Sequence, residues 1–184
     1  PTDMPDGLEI AAFLPREDPR DVVALRLGVD HPQVLASGSP RRRAQAKRLY
    51  PDASWVELRG NVQTRLEKIS LAGLADGTFL AQAGLNRLGV RDFPGLVLEA
   101  FALERMVPAP GQGAIAIQSR AEEAERFSIL EDEESARSVR FEREILSALG
   151  GGCQVALGVH HRSVDDCLYF FHEACGIQIG RAHV

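Results

Sequence analysis

Cysteine is scarce: three in 184 residues, at Cys153, Cys167 and Cys175. No pair has CxxC spacing, which argues against a zinc knuckle, and an odd number points to free thiols in a reducing compartment. Aromatic residues make up only 6%, too few for a platform that stacks single-stranded bases. No apolar run approaches the roughly 18 residues needed to cross a bilayer. Neither sign of charge dominates. The 21 Lys+Arg against 26 Asp+Glu leave a net charge of −5, which argues against a strongly basic nucleic-acid-binding chain. The opening Pro1-Thr2-Asp3 has neither the basic stretch nor the apolar core of a secretory signal. What remains is an ordinary globular composition, 45% apolar and 26% charged, enough for one domain or pieces of two or three at about 100–200 residues each.

Turn and cap residues divide the chain. Pro5-Asp6-Gly7 leads into an apolar segment, so the start reads as mid-domain sequence. Leu8–Leu14 reads as a strand, Pro15–Asp21 as a polar link and Val34–Ser37 as a short buried strand. Ser39-Pro40 then starts a helix, since Ser is a favoured N-cap and Pro suits the first helical position. That helix extends to about Tyr50 and Pro51 stops it; Trp55–Leu58 follows as a strand. Asn61 caps a helix to about Leu71, Thr78–Gln82 is a strand, and Ala83–Leu88 is a helical turn closed by Gly89. Alternating strands and helices predict an α/β fold with a parallel sheet. Pro108–Gly113 reads as a hinge-like loop and Ala114–Gln118 as a strand. Ala121–Leu149 reads as helical with a break near Asp132, and Val155–Val159 and Leu168–His172 as strands of a smaller unit.

Charge is unevenly spread. Arg41 to Lys68 holds eight basic residues against Asp52, Glu57 and Glu67, whereas Glu122 to Glu144 holds nine acids against four arginines and reads as an acidic helical surface. Arg41 and Arg42 begin a helix after a strand, Arg59 ends the next strand, Arg65 begins the next helix, and Arg87 follows the third strand. The carboxyl ends of strands form the ligand crevice of an α/β sheet, so these five are expected to converge on one rim. Helix N-termini at Ser39 and Asn61 add N–H donors there. Cations at helix N-termini are locally unfavourable, and clustering them implies an anion that offsets the cost. The candidates are a phosphate, a nucleic-acid backbone or a polycarboxylate. Arg43, Lys47 and Arg48 are expected on a solvated helix face. Cys167 and Cys175 read as small buried hydrophobes. Cys153 differs: three glycines precede it, which makes it either a turn residue or a thiol displayed for modification.

Six motifs in order carry a family resemblance: Arg16-Glu17-Asp18-Pro19-Arg20-Asp21, Ser39-Pro40-Arg41-Arg42, Leu58-Arg59-Gly60-Asn61-Val62-Gln63-Thr64-Arg65-Leu66, Ala83-Gly84-Leu85-Asn86-Arg87-Leu88-Gly89, Pro110-Gly111-Gln112-Gly113-Ala114 and Gly151-Gly152-Cys153-Gln154. They resemble the hydroxymethylbilane synthase (porphobilinogen deaminase) family over nearly all of residues 1–177, as a piece cut at both ends. The resemblance implies a transferase of tetrapyrrole biosynthesis. It condenses four porphobilinogen molecules into hydroxymethylbilane with release of ammonia, on a dipyrromethane cofactor bound as a thioether to Cys153. It implies that Ser39, Arg41, Arg42, Arg59, Arg65 and Gly84 hold the cofactor, that Arg59, Arg65 and Arg87 hold substrate carboxylates, and that Gln112 lies in an interdomain hinge, with no metal.

The implied architecture has three domains. Residues 1–21 are a remnant of the first, 22–108 a three-layer α/β middle domain like those of periplasmic binding proteins, 109–131 a return to the first, and 132–184 part of an α+β third domain. The family's catalytic aspartate sits in a His-Ser-x-Lys-Asp motif that this chain lacks, so no catalytic residue is expected in it and the 184-residue chain is expected not to turn over porphobilinogen. Gly38 stands where the family usually has a hydroxyl residue, and Ala156 where it usually has Pro. Gln178–Val184 read as a non-native tail. The expected setting is a monomer in the cytoplasm or an organellar stroma, with porphobilinogen as partner and neither nucleic acid nor membrane. The alternatives are a non-catalytic anion-binding α/β module using the same arginines, and a nucleic-acid-binding domain, against which the net charge speaks.

Overall fold

The computed structural model describes residues 4–150 and 155–181. Three sheets organise it. In the central one, β3 (Val34–Ala36), β4 (Ser54–Val56) and β5 (Gly77–Ala81) run parallel, while β2 (Asp21–Arg26) lies antiparallel between β5 and β6 (Leu96–Ala100), giving the order β4-β3-β5-β2-β6. The expected three layers are present. The expected parallel sheet is corrected to a mixed one, because β2, which carries no strand signal in the sequence, enters antiparallel between β5 and β6. Asp21-Val22-Val23-Ala24 is buried on both faces, so it shows none of the alternation that marks a half-buried strand.

Helices cover both sides of this sheet. α2 (Val62–Ser70) and α3 (Gln82–Arg87) bring Leu66, Ile69 and Leu85 against Val22, Ala24, Ala36 and Leu80. On the other face α1 (Pro40–Ala46) sets Ala46 beside Val23, Leu35, Phe79, Phe101 and Met106. Each side chain of this kind contributes about 1.5–3 kcal/mol when fully buried. The α1 start is as expected: Ser39 Oγ accepts from the Arg42 amide at 3.4 Å with Pro40 behind it. The α2 cap is tighter, with Asn61 Oδ1 accepting from Thr64 N at 2.9 Å. α1 ends at Ala46 and continues only as turns to Tyr50.

The second sheet pairs β1 (Leu8–Phe13) antiparallel with β7 (Ala116–Arg120). A 3₁₀ segment, Ala121–Leu130, follows. The break near Asp132 is present as a cap: Asp132 Oδ1 accepts from Ser135 N at 2.9 Å and starts α4 (Glu133–Ala148). The third sheet is the antiparallel meander β8 (Leu157–Arg162), β9 (Cys167–His172) and β10 (Gly176–Arg181). Its Tyr169 and Phe171 close over Val107. Cys167 is partly buried, but Cys175 is exposed in the β9–β10 turn, which corrects the expectation that both are buried. Cys153, with its flanking glycines and Gln154, lies outside the described residues.

Candidate functional site

The turns after β3 and β4, together with the first turns of α1 and α2, enclose an open cleft of about 700 Å³ lined by Ser37, Gly38, Ser39, Pro40, Arg42, Arg43, Glu57, Leu58, Arg59 and Arg65. This is the strand-end crevice that sequence order predicts. Of the five expected arginines, Arg42, Arg59 and Arg65 meet here. Arg59 stands at the mouth with 90% of its side chain exposed. Arg65 is anchored by Nε, which donates to the Gly60 carbonyl at 2.7 Å. Gly60 turns the chain between β4 and α2 at φ +127°, where a β-carbon would press on Thr64, so the Arg-Gly-Asn spacing is a backbone requirement. Ser39 Oγ lines the cleft while serving as the cap.

Two of the five go elsewhere. Arg41 is buried, donating from Nη1 to Asp21 Oδ2 at 2.5 Å and to the Val107 carbonyl at 2.7 Å, and from Nη2 to Gln112 Oε1 at 3.1 Å. Arg87 donates to the Gly113 carbonyl at 2.7 Å. Gly84 lies on α3 facing Val62, outside the cleft lining. Arg43, expected in solvent, instead lines the cleft: Nε donates to the Ser37 carbonyl, and Nη2 donates to the Val56 carbonyl at 3.1 Å. Successive helix residues point about 100° apart, so Arg41, Arg42 and Arg43 face inward, sideways and toward the cleft.

Asp21, read as the end of a link, is the buried counterion that organises this side of the site. Its carboxylate also accepts from Arg42 Nε at 2.9 Å and from Gln112 Nε2 at 3.1 Å. Burial pushes its carboxyl up, but the Arg41 and Arg42 guanidiniums outweigh that and hold it below its ordinary value. Arg42 moves down through burial, partly offset by Asp21; a guanidinium remains charged. Arg42 thus joins the buried network to the cleft floor.

Gln112 also donates from Nε2 to the Pro19 carbonyl at 2.6 Å, tying the 109–113 loop to the segment entering β2. Beside it Gly113 has φ +89°, and a β-carbon there would collide with the Glu17 carbonyl. Gly113→Ala is therefore expected to destabilise the chain, by about 1–2 kcal/mol from the backbone alone and by more from displacing Glu17. A lowered thermal midpoint checks this.

A second buried acid, Glu142, sits on α4 within what reads as an acidic surface. It is fully buried, accepting from Arg16 Nη1 and Nη2 at 2.6 and 3.0 Å, from Gly111 N at 2.7 Å and from His161 N at 2.8 Å. Burial raises its carboxyl, and the neighbouring His160 ring and Arg16 more than reverse this, leaving it below its ordinary value. His160 Nδ1 is 3.3 Å from Oε1, outside hydrogen-bond geometry.

Residues 1–128 match the family described as "Porphobilinogen deaminase, dipyromethane cofactor binding domain". The chain belongs to the porphobilinogen deaminase family. It is 40% identical over 178 residues to a protein named porphobilinogen deaminase from Nitrobacter hamburgensis, and 42% identical over 178 residues to one from Nitrobacter winogradskyi; each alignment covers 92% of this chain and 55% of the relative. One from Desulfitobacterium hafniense is 40% identical over 166 residues, covering 86% of this chain and 53% of the relative. The chain therefore spans about half the length of these relatives. The matched residues include the whole arginine cleft. Among the described residues no group of His, Cys, Asp and Glu could hold a metal ion, and no helix is long and apolar enough to cross a membrane.

Proposed function

We propose that this chain is the carboxylate-holding part of a hydroxymethylbilane synthase. The observation that carries this is the cleft, in which four guanidiniums stand over the capped N-termini of α1 and α2. Each porphobilinogen carries an acetate and a propionate, so a growing pyrrole chain presents paired carboxylates. Guanidiniums match these in fork geometry, and the cleft's donor set fits a dipyrromethane with the same side chains. Arg42, Arg43, Arg59 and Arg65 would hold cofactor and substrate carboxylates, and Ser39 lies at their base. Arg41 acts behind them, by holding Asp21 and so fixing Arg42. Gln112 serves the hinge, and Arg87 locks the same loop through Gly113. The role inferred for Gly84 rests on its motif alone.

A dipyrromethane on the Cys153 thiol would supply the free pyrrole carbon that takes the first unit, the last ring added supplying it thereafter. Each addition would replace that carbon's bond to hydrogen with a carbon–carbon bond and break the aminomethyl carbon–nitrogen bond, the amine and the proton leaving together as ammonia. The residues of this chain bind and orient. They neutralise carboxylates that would otherwise repel one another as they accumulate, and a cleft with fixed charge does so without reorganising. The three-domain division, supported by the motif order, and a monomer in the cytoplasm or an organellar stroma belong to the same proposal.

Peptide mass spectrometry of the full-length protein is expected to find a dipyrromethane adduct on Cys153, and Cys153→Ser is expected to abolish it. An unmodified Cys153 would favour a non-catalytic anion-binding module.

A further inference from the structure

The arginine cleft contains one acid. Glu57 directly follows β4, and its carboxylate lies between Arg43 Nη2 at 3.5 Å from Oε1 and Arg59 Nε at 3.8 Å from Oε2. It lies close against Gly38. A β-carbon at residue 38 would stand 3.1 Å from Glu57 Oε2, tighter than ordinary contact, with the Leu58 carbonyl at 3.5 Å behind it. The missing side chain at residue 38 therefore leaves room for the glutamate, and a side chain there would crowd it. Fifty-seven is also the only acidic position among the cleft's lining residues, where every other charged side chain is an arginine.

We infer that Glu57 is an internal counterion of this cleft, which tempers its anion affinity by occupying Arg43 and Arg59 until a ligand carboxylate displaces it. This rests on the anion-cleft reading above and adds to it. The pair distances are long and both Glu57 and Arg59 are largely exposed, so the contact is weak and reversible. A weakly held acid keeps the guanidiniums oriented but competes with every incoming anion. A ligand that takes both guanidiniums must displace it completely, and a ligand of higher negative charge is also repelled by it more strongly. The glutamate thereby lowers the affinity for polycarboxylates at least as much as that for a lone carboxylate.

The test uses the 184-residue chain with propane-1,2,3-tricarboxylate and acetate as probes. Affinity is measured by calorimetry, and the arginine Nε–H resonances are followed by NMR. Glu57→Gln is expected to tighten acetate binding roughly three- to tenfold, the size of one solvent-screened charge interaction at close range, and to tighten tricarboxylate binding at least as much, because the removed charge repels three carboxylates more than one. Gly38→Ser, which pushes the glutamate aside, should shift affinity the same way without removing a charge. Adding it to Glu57→Gln should bring little further change. If both single variants stay within twofold of the unsubstituted chain while Arg42→Ala and Arg65→Ala weaken binding, the role of Glu57 is overturned and the cleft stands. If binding is absent or indifferent to Arg42→Ala and Arg65→Ala, the cleft reading falls as well.

Discussion

Replacing Asp21 by Ala is expected to destabilise the chain by about 3–5 kcal/mol, the cost of removing one partner from a buried ion pair. The substitution leaves Arg41 buried beside the Val107 carbonyl with no compensating carboxylate, and Gln112 Nε2 with only the Pro19 carbonyl. It also frees Arg42, whose Nε is held by Asp21, so anion binding in the cleft should weaken although residue 21 lies outside its lining. Asp21→Asn keeps the volume and one acceptor, and should recover part of the stability but little of the binding. Arg59→Ala supplies the contrast. It removes an exposed side chain, and surface changes of that kind stay within about 0.5 kcal/mol, yet binding should fall. Chemical unfolding together with anion titration of the three variants separates the roles. Equal stability of Asp21→Ala and the unsubstituted chain would remove Asp21 from the centre of the network.

The second large effect belongs to Glu142. Glu142→Ala is expected to cost about 3–5 kcal/mol on the same grounds, since the Arg16 fork and the amides of Gly111 and His161 all lose their acceptor. The carboxylate joins α4 to the segment after β1, to the loop before β7 and to β8, so its loss should loosen these elements from one another. Its acid response follows from the lowered carboxyl. A group whose folded value lies below its unfolded value contributes fully above the unfolded value and loses that contribution as pH falls through the folded one. Asp21 shifts in the same direction. The chain should therefore hold its stability from neutrality down to about pH 5 and lose it progressively below about pH 4. Glu142→Gln should start less stable at pH 7 and show a flatter acid limb. Thermal midpoints at pH 7, 5 and 3 check both slopes, and parallel curves would discount the pairing.

Local signals in this sequence are strong where the chemistry is local. Ser39, Asn61 and Asp132 cap the helices they precede because each side chain reaches an amide three residues on. The placement of Arg42, Arg59 and Arg65 follows from strand-to-helix order alone, since a short turn can only deliver them to the carboxyl end of the sheet. The motif order likewise carried the family without any coordinates. Asp21 and Glu142 were not legible in this way. The first lies on a strand with no alternation, and the second among eight other acids on a segment of acidic composition.

Composition and spacing by themselves determined an α/β chain with a clustered arginine rim and the helix starts that frame it. Tertiary structure decided which arginines are free to bind. Arg41 and Arg42 are neighbours in sequence, but β2 runs antiparallel into the middle of the sheet and places the Asp21 carboxylate beneath α1. A buried guanidinium needs a partner that sequence distance does not reveal, so Arg41 turns inward to an acid twenty residues earlier and Arg42 spans from that acid to the cleft.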